Sequence, residues 1–304
     1  VRLDDVDGSG FEVEDRRGQR SAGGGMGGLG SILGGAMGGK GGKLGIPALL
    51  VIVIGVVVAM AGGGGSGGSG GDLGAILDQL GAPSEQGPSA PTAVDGSKDA
   101  PYEFVADVGT LLEDHWRSTF EASGEPFERA GLVVFDAPTD TGGCGVGTPQ
   151  AGPFYCPPSK RIFIDFGFYQ ELERQLGFSG DFAMAYVLAH EYGHHIQNLL
   201  GIDDQVREAQ ADASEAEANA LLVRLELQAD CLAGVWAKSA FDDRRLEDGD
   251  FDEAIDAAEA VGDDAILGAN ANQESFTHGS SAQRKRWFTA GFEAGEASAC
   301  DTFA

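Results

Sequence analysis

Residues 181–200 read DFAMAYVLAHEYGHHIQNLL, a stretch without proline that closes on Gly201. Apolar residues recur along it at helical spacing and the glycine supplies a stop, so the run predicts a single helix over Asp181–Leu200. Inside it stand His190, Glu191, Tyr192, Gly193 and His194, an H-E-x-x-H sequence. Positions i and i+4 share one helix face, so two imidazoles can address one metal ion. Glu191 is turned about a quarter of the way round from His190, where its carboxylate reaches a metal-held water without binding the metal. By composition alone the triplet arises about once in a hundred chains of this length, which makes accident a weak explanation.

A catalytic zinc has three protein ligands and one position open to water. The third ligand must come from elsewhere in the chain. Glu226 and Asp230, in ELQAD, are again four apart on a predicted helix. In such a pair the glutamate binds metal while the aspartate accepts a hydrogen bond from a ligand histidine. This assigns His190, His194 and Glu226 as ligands of Zn2+, Glu191 as the catalytic base and Asp230 as the group that orients a ligand ring. The bland alternative is a solvated acidic face, but Leu222, Leu225, Leu227 and Leu232 around the pair favour burial.

The 304 residues carry 48 acidic and 20 basic side chains, a formal charge of −28. Nucleic acid is thereby excluded as a partner. The 49 glycines gather in two tracts, without the period of collagen. Residues 1–43 balance their few charges and run into glycine, so a disordered tail is expected there. Leu44 to Ala61 is an uncharged apolar run of 18 residues, which predicts one transmembrane helix. Arg16, Arg17, Arg20, Lys40 and Lys43 precede it and the next basic residue is Lys98. The positive-inside rule then gives a single-pass cell-membrane protein with a cytoplasmic N-terminus and an extracytoplasmic catalytic domain. A buried core helix and a leader cleaved after Ala61 are the alternatives. The glycine flanks speak against the first, and the length of chain before the run against the second.

Residues 62–100 read as a flexible linker, leaving 101–304 as one domain. Phe104, Val105, Val108, Leu111, Leu112, Trp116 and Phe120 recur at helical spacing before Gly124. Leu132 to Phe135 and Arg161 to Asp165 read as strands of one small sheet. After the motif helix, Gln205 to about Ala240 predicts one long helix, and shorter ones are expected near Asp252–Glu259 and Ala282–Phe292. The class is α+β, mainly helical with a small β-sheet. Cys144 and Cys156 flank a loop rich in glycine and proline, so a local bridge between them is the favoured one of three connectivities and would leave Cys231 to pair with Cys300. A zinc–thiolate site is the competing use, but the spacings are not C-x-x-C. Asp248, Asp250, Asp252 and Glu259 echo a calcium loop, but Glu253 stands where glycine is needed and an acidic helix start explains them better.

Three motifs carry a family resemblance: HEYGHHIQ at His190–Gln197, ELQADCLAGVWA at Glu226–Ala237 and SFTHGSSAQRKRWF at Ser275–Phe288. With VEDRRG at Val13–Gly18 they resemble the neutral zinc metallopeptidase family of bacterial membrane-anchored proteins. The resemblance implies a zincin-like fold, with the motif helix beside the sheet and a peptide or protein substrate paired to an edge strand, for which Arg161–Asp165 is the candidate. It also implies that His278 is a catalytic histidine stabilising the oxyanion. A helix-entry role before Ser280 and Ser281 is the competing reading of His278. Tyr192 is expected to turn toward packing, His195 to point off the metal face and His115 to be structural. Arg284, Arg286 and Trp287 either pack the last helix or hold a substrate carboxylate. Two functions follow. One is peptide hydrolysis outside the cytoplasm, with Glu191 taking a proton from a zinc-bound water. The other is a zinc-stabilised, non-catalytic envelope binding module, closed by a fourth ligand from His278 or Asp230.

Overall fold

A computed structural model describes residues 1–19, 99–167, 180–268 and 270–304. Four short strands form its main sheet in the order β1-β2-β6-β5. They are β1 (Val13–Asp15), β2 (Gly131–Val134), β5 (Phe154–Cys156) and β6 (Arg161–Ile164), while β3 (Thr139–Asp140) and β4 (Val146–Gly147) make a separate ribbon. β1, β2 and β6 run parallel, with Leu132 opposite Val13 on one side and Ile162 on the other. β5 runs antiparallel to β6, Tyr155 opposite Ile162. Side chains alternate between the two faces, as a strand requires. Leu132, Val134, Tyr155, Ile162 and Ile164 enter the main core, whereas Val133, Phe135, Phe154, Cys156 and Phe163 make a smaller cluster behind the sheet.

The core face is covered by helices. α1 (Ala100–Ser123) starts on Asp99, whose side chain accepts from the Tyr102 N–H, and stops at left-handed Gly124. α2 (Asp181–Leu199) is the motif helix, and every residue from Phe182 to Gln197 except Val187 is buried. A helix buried nearly all round is central. After α3 (Ile202–Gln210) comes α4 (Glu215–Asp242), followed by α5 (Asp250–Ala260), α6 (Asp263–Leu267) and α7 (Ser281–Ala294). α2 and α4 cross with Gly193 against Ala229: a Cβ at 193 would lie 3.0 Å from the Ala229 carbonyl oxygen. That close crossing brings the motif histidines to the ELQAD face. α4 and α7 also approach closely, with Gly234 against Phe288 and Gly291 against Cys231.

The architecture is mainly helical with a small sheet, and both disulfides, Cys144–Cys156 and Cys231–Cys300, join the expected partners. The long helix expected from Gln205 to Ala240 is two helices. Ser214 accepts from the Glu217 N–H while Glu217 reaches back to Ser214, a capping box that starts α4 afresh. The sheet also holds two strands the pattern did not suggest, β1 and β5.

β1 overturns the membrane topology. Its residues were expected in a disordered cytoplasmic tail, on the far side of a bilayer from 101–304. Instead Val13, Glu14 and Asp15 pair with Leu132, Val133 and Val134. Hydrogen-bonded strands cannot lie on opposite faces of a membrane, so a single span between them is incompatible with this sheet. Among the described residues no helix is long and apolar enough to cross a membrane. The single-pass assignment, with its cytoplasmic N-terminus and extracytoplasmic domain, is therefore corrected. Of the basic residues that suggested it, the two within the described residues have partners in the fold: Arg16 pairs with Glu14 at 2.8 Å, and Arg17 with Asp15 and Asp99 at 2.6 Å each. The apolar run 44–61 itself and most of the expected linker lie outside the described residues.

Candidate metal centre

α2 presents His190 and His194 one turn apart, their rings 4.9 Å between centroids and at 87°. α4 brings Glu226 against both. Its Oε2 lies 3.1 Å from His190 Nε2 and its Oε1 3.5 Å from His194 Nε2. Each of the three residues offers an atom within 4.8 Å of the others', and all are buried or nearly so. Two imidazole nitrogens and one carboxylate form a donor set suited to zinc.

Both rings are set up to take a cation in place of a proton. Burial works against charging His194, but Glu226 and Glu191 outweigh it and push the ring up to about 10. His190 is likewise raised, burial being outweighed by Asp230 and Glu226. Burial also opposes ionisation of Glu226, yet His194 and His190 hold its carboxyl well below the usual range. For Glu191 burial outweighs the pull of His194 and His190. The residue is 1% exposed, neither oxygen has a hydrogen-bond partner, and burial raises it above the ordinary glutamate value. An unpartnered buried carboxyl is costly unless a cation, water or ligand answers it.

Behind the ring of His190 stands Asp230, wholly buried. His190 Nδ1 lies 2.9 Å from Asp230 Oδ1, Tyr186 donates to the same oxygen at 2.6 Å, and Arg284 makes two bonds of 2.9 Å, one to each oxygen. Burial would raise Asp230, but Arg284 first and His190 second bring it down to about 2. The ionised carboxylate can only accept, so Nδ1 carries the hydrogen and Nε2 faces Glu226.

His278 lies in the loop before α7, 6% exposed, and its charge is felt at Glu226. Asp263 holds that loop: one oxygen is 3.1 Å from His278 Nδ1, and the other accepts from the backbone N–H groups of Thr277, His278 and Gly279 at 2.8, 2.7 and 3.0 Å. His278 is not part of the converging group of ligand atoms.

Other expectations sort themselves by position. The Tyr192 ring packs edge-on against His195. His195 Nδ1 meets the Tyr155 hydroxyl at 2.9 Å and its Nε2 the Glu128 carbonyl at 2.8 Å, off the metal face, and burial lowers it to about 4. His115 packs edge-on against Trp116, in α1. Arg284 belongs to the centre through Asp230, whereas the Arg286 guanidinium sits over the Trp287 ring, 5.8 Å from its centroid. A second acidic group, Asp181, Asp250 and Glu253, replaces the calcium pattern, and its carboxylates cap backbone N–H groups of Phe182 and Glu247. The candidate substrate strand needs correction. Arg161–Ile164 is β6, paired on both sides by β2 and β5, so it has no free edge. The edge beside α2 is β5.

The sequence reading missed Tyr186, Asp263, Gln197 and Gln228. Tyr186 is one turn before His190 and Gln197 three residues after His194, so helical spacing marked both. For Asp263, fifteen residues from His278 in an acid-rich segment, no sequence signal existed.

The family model described as "Putative neutral zinc metallopeptidase" matches residues 5–303. The uncharacterized protein YpfJ of Escherichia coli is 44% identical over 214 residues, 69% of this chain and 74% of that one. An uncharacterized protein of Mycobacterium tuberculosis is 41% identical over 226 residues, 70% of this chain and 73% of its own. No solved structure matches.

Proposed function

From the premise that the chain belongs to this family of neutral zinc metallopeptidases, we propose that it hydrolyses peptide bonds at the centre formed by α2 and α4. The observation that carries the reading is Glu191, a buried carboxyl without a hydrogen-bond partner beside three converging ligand atoms. His190, His194 and Glu226 would hold zinc, which supplies Lewis acidity that polarises a carbonyl and makes water a nucleophile near neutral pH.

The chain's own groups then have distinct tasks. Glu191, its proton affinity raised by burial, takes a proton from the attacking water and returns it to the departing amine. Asp230, charged and clamped by Arg284, keeps the His190 ring in one tautomer. His278, held by Asp263, donates toward the developing oxyanion. β5, the edge of the sheet among the described residues and tied to α2 by the Tyr155–His195 hydrogen bond, is where an extended substrate would add a strand.

A closed, non-catalytic site needs a fourth protein ligand. Asp230 is a poor one, because Arg284, Tyr186 and His190 already occupy its oxygens. The test is Glu191→Gln. It is expected to bind zinc as the wild type does and to lose cleavage of a mixed peptide library by at least about a hundredfold. Equal rates would overturn the proposal.

A further inference from the structure

Among the described residues no carboxylate is hydrogen-bonded to His194 Nδ1. Its Nδ1 instead lies 2.8 Å from Gln197 Oε1, within the same helix. Gln197 is 0% exposed and its amide nitrogen makes two further bonds, 2.7 Å to the Leu225 carbonyl and 3.1 Å to Gln228 Oε1. Gln228 in turn donates 2.9 Å to the Cys300 carbonyl.

The direction of this chain is set by its fixed ends. A backbone carbonyl only accepts, so the Gln228 atom facing Cys300 is nitrogen and its oxygen faces Gln197. The Gln197 atom facing Leu225 is nitrogen for the same reason, which turns the Gln197 oxygen to His194. An amide oxygen only accepts, so His194 Nδ1 must donate. Reversing either amide would press buried acceptor oxygens together with no hydrogen between them. Leu225 directly precedes the ligand Glu226, and Cys300 is bonded to Cys231 of the same helix, so both ends move with α4.

We propose that Gln197, backed by Gln228, is a positioning residue that holds His194 in the tautomer with hydrogen on Nδ1 and Nε2 turned to Glu226. The assignment rests on the metal centre described above and extends it. His190 is oriented by a charged acceptor and His194 by a neutral relay, so the two ligands depend on different residues.

The test uses the full chain and zinc itself, with affinity measured by competition against a chromophoric chelator and folding checked by circular dichroism. Gln197→Leu should bind zinc 10- to 100-fold more weakly, by loss of the bond behind the ligand. Gln228→Leu should weaken binding by a smaller factor, and adding it to Gln197→Leu should change nothing further. A folded Gln197→Leu chain that binds zinc within twofold of wild type overturns the proposal. His194→Ala separates this from the parent reading: if that variant also keeps wild-type affinity, the metal centre itself is misassigned. Two-bond proton–nitrogen correlation of the zinc-loaded wild type requires no substitution. It should show His194 protonated on Nδ1, and a proton on Nε2 would refute the relay.

Discussion

Replacing Arg284 by methionine removes the only guanidinium that, among the described residues, bonds the fully buried carboxylate of Asp230. Arg284 is 1% exposed and Asp230 0%, and two bonds of 2.9 Å join them. Taking one partner from such a pair costs about 3–5 kcal/mol, because the remaining charge is buried without its counter-ion. The pH dependence should change as well. In the wild type Asp230 lies at about 2 in the fold against 3.8 when unfolded, so it contributes stability above pH 3.8 that is lost as pH falls through 2. A depression of about two units corresponds to roughly 2–3 kcal/mol at neutral pH. Without Arg284 the burial of Asp230 dominates and its folded value moves upward, so the wild-type loss of stability between pH 3.8 and 2 shrinks or reverses and the variant regains part of its deficit as pH falls. Urea titrations of metal-free protein between pH 2 and 8 measure both effects without zinc linkage. Asp230→Asn in the Arg284→Met background should recover part of the loss. A loss below about 1 kcal/mol at neutral pH, with the wild-type decline between pH 3.8 and 2 unchanged, would refute the reasoning.

Three further outcomes follow from other buried groups. Asp203 is 2% exposed with both oxygens unpartnered, and burial raises it from 3.8 to about 6. Its stabilising contribution is therefore present below pH 3.8 and lost as pH rises through about 6. Asp203→Asn should be more stable than wild type at pH 8 by about 1–3 kcal/mol and no more stable at pH 3.5, read by urea titration. Tyr155→Phe breaks the hydrogen bonds of the Tyr155 hydroxyl with His195 and Asn198, so peptide KM should rise several-fold with a smaller change in kcat, measured by steady-state cleavage. Cys231 and Cys300 are 69 residues apart and Cys144 and Cys156 only 12, so removing the first bridge should cost about 4 kcal/mol and the second about 3, compared by thermal unfolding.

What the sequence disclosed depended on how local each signal was. H-E-x-x-H and ELQAD are each confined to one helical turn, so periodicity alone put two imidazoles on one face and two carboxylates on another. Their meeting at Gly193 and Ala229 was anticipated only by the chemistry that zinc requires, since a glycine inside a helix does not announce which helix it touches. β1 was hidden because three residues, VED, provide no alternation to recognise, and the arginines that follow it looked like topology signals until Glu14 was seen beside Arg16 and Asp15 and Asp99 beside Arg17. The break between α3 and α4 was readable in principle from Ser214 and Glu217, but the surrounding alanine and glutamate favour helix so strongly that they masked the cap. Arg284 and Asp263 reach their partners across 54 and 15 residues, and no spacing rule covers such distances.

Zinc stoichiometry and X-ray absorption of the full chain, alongside His190→Ala, His194→Ala and Glu226→Ala, address the centre most directly. One tightly held zinc with two imidazole nitrogens and a carboxylate oxygen in its shell is expected, with retention lost or sharply weakened in each variant. Unchanged zinc binding in all three variants would contradict the account.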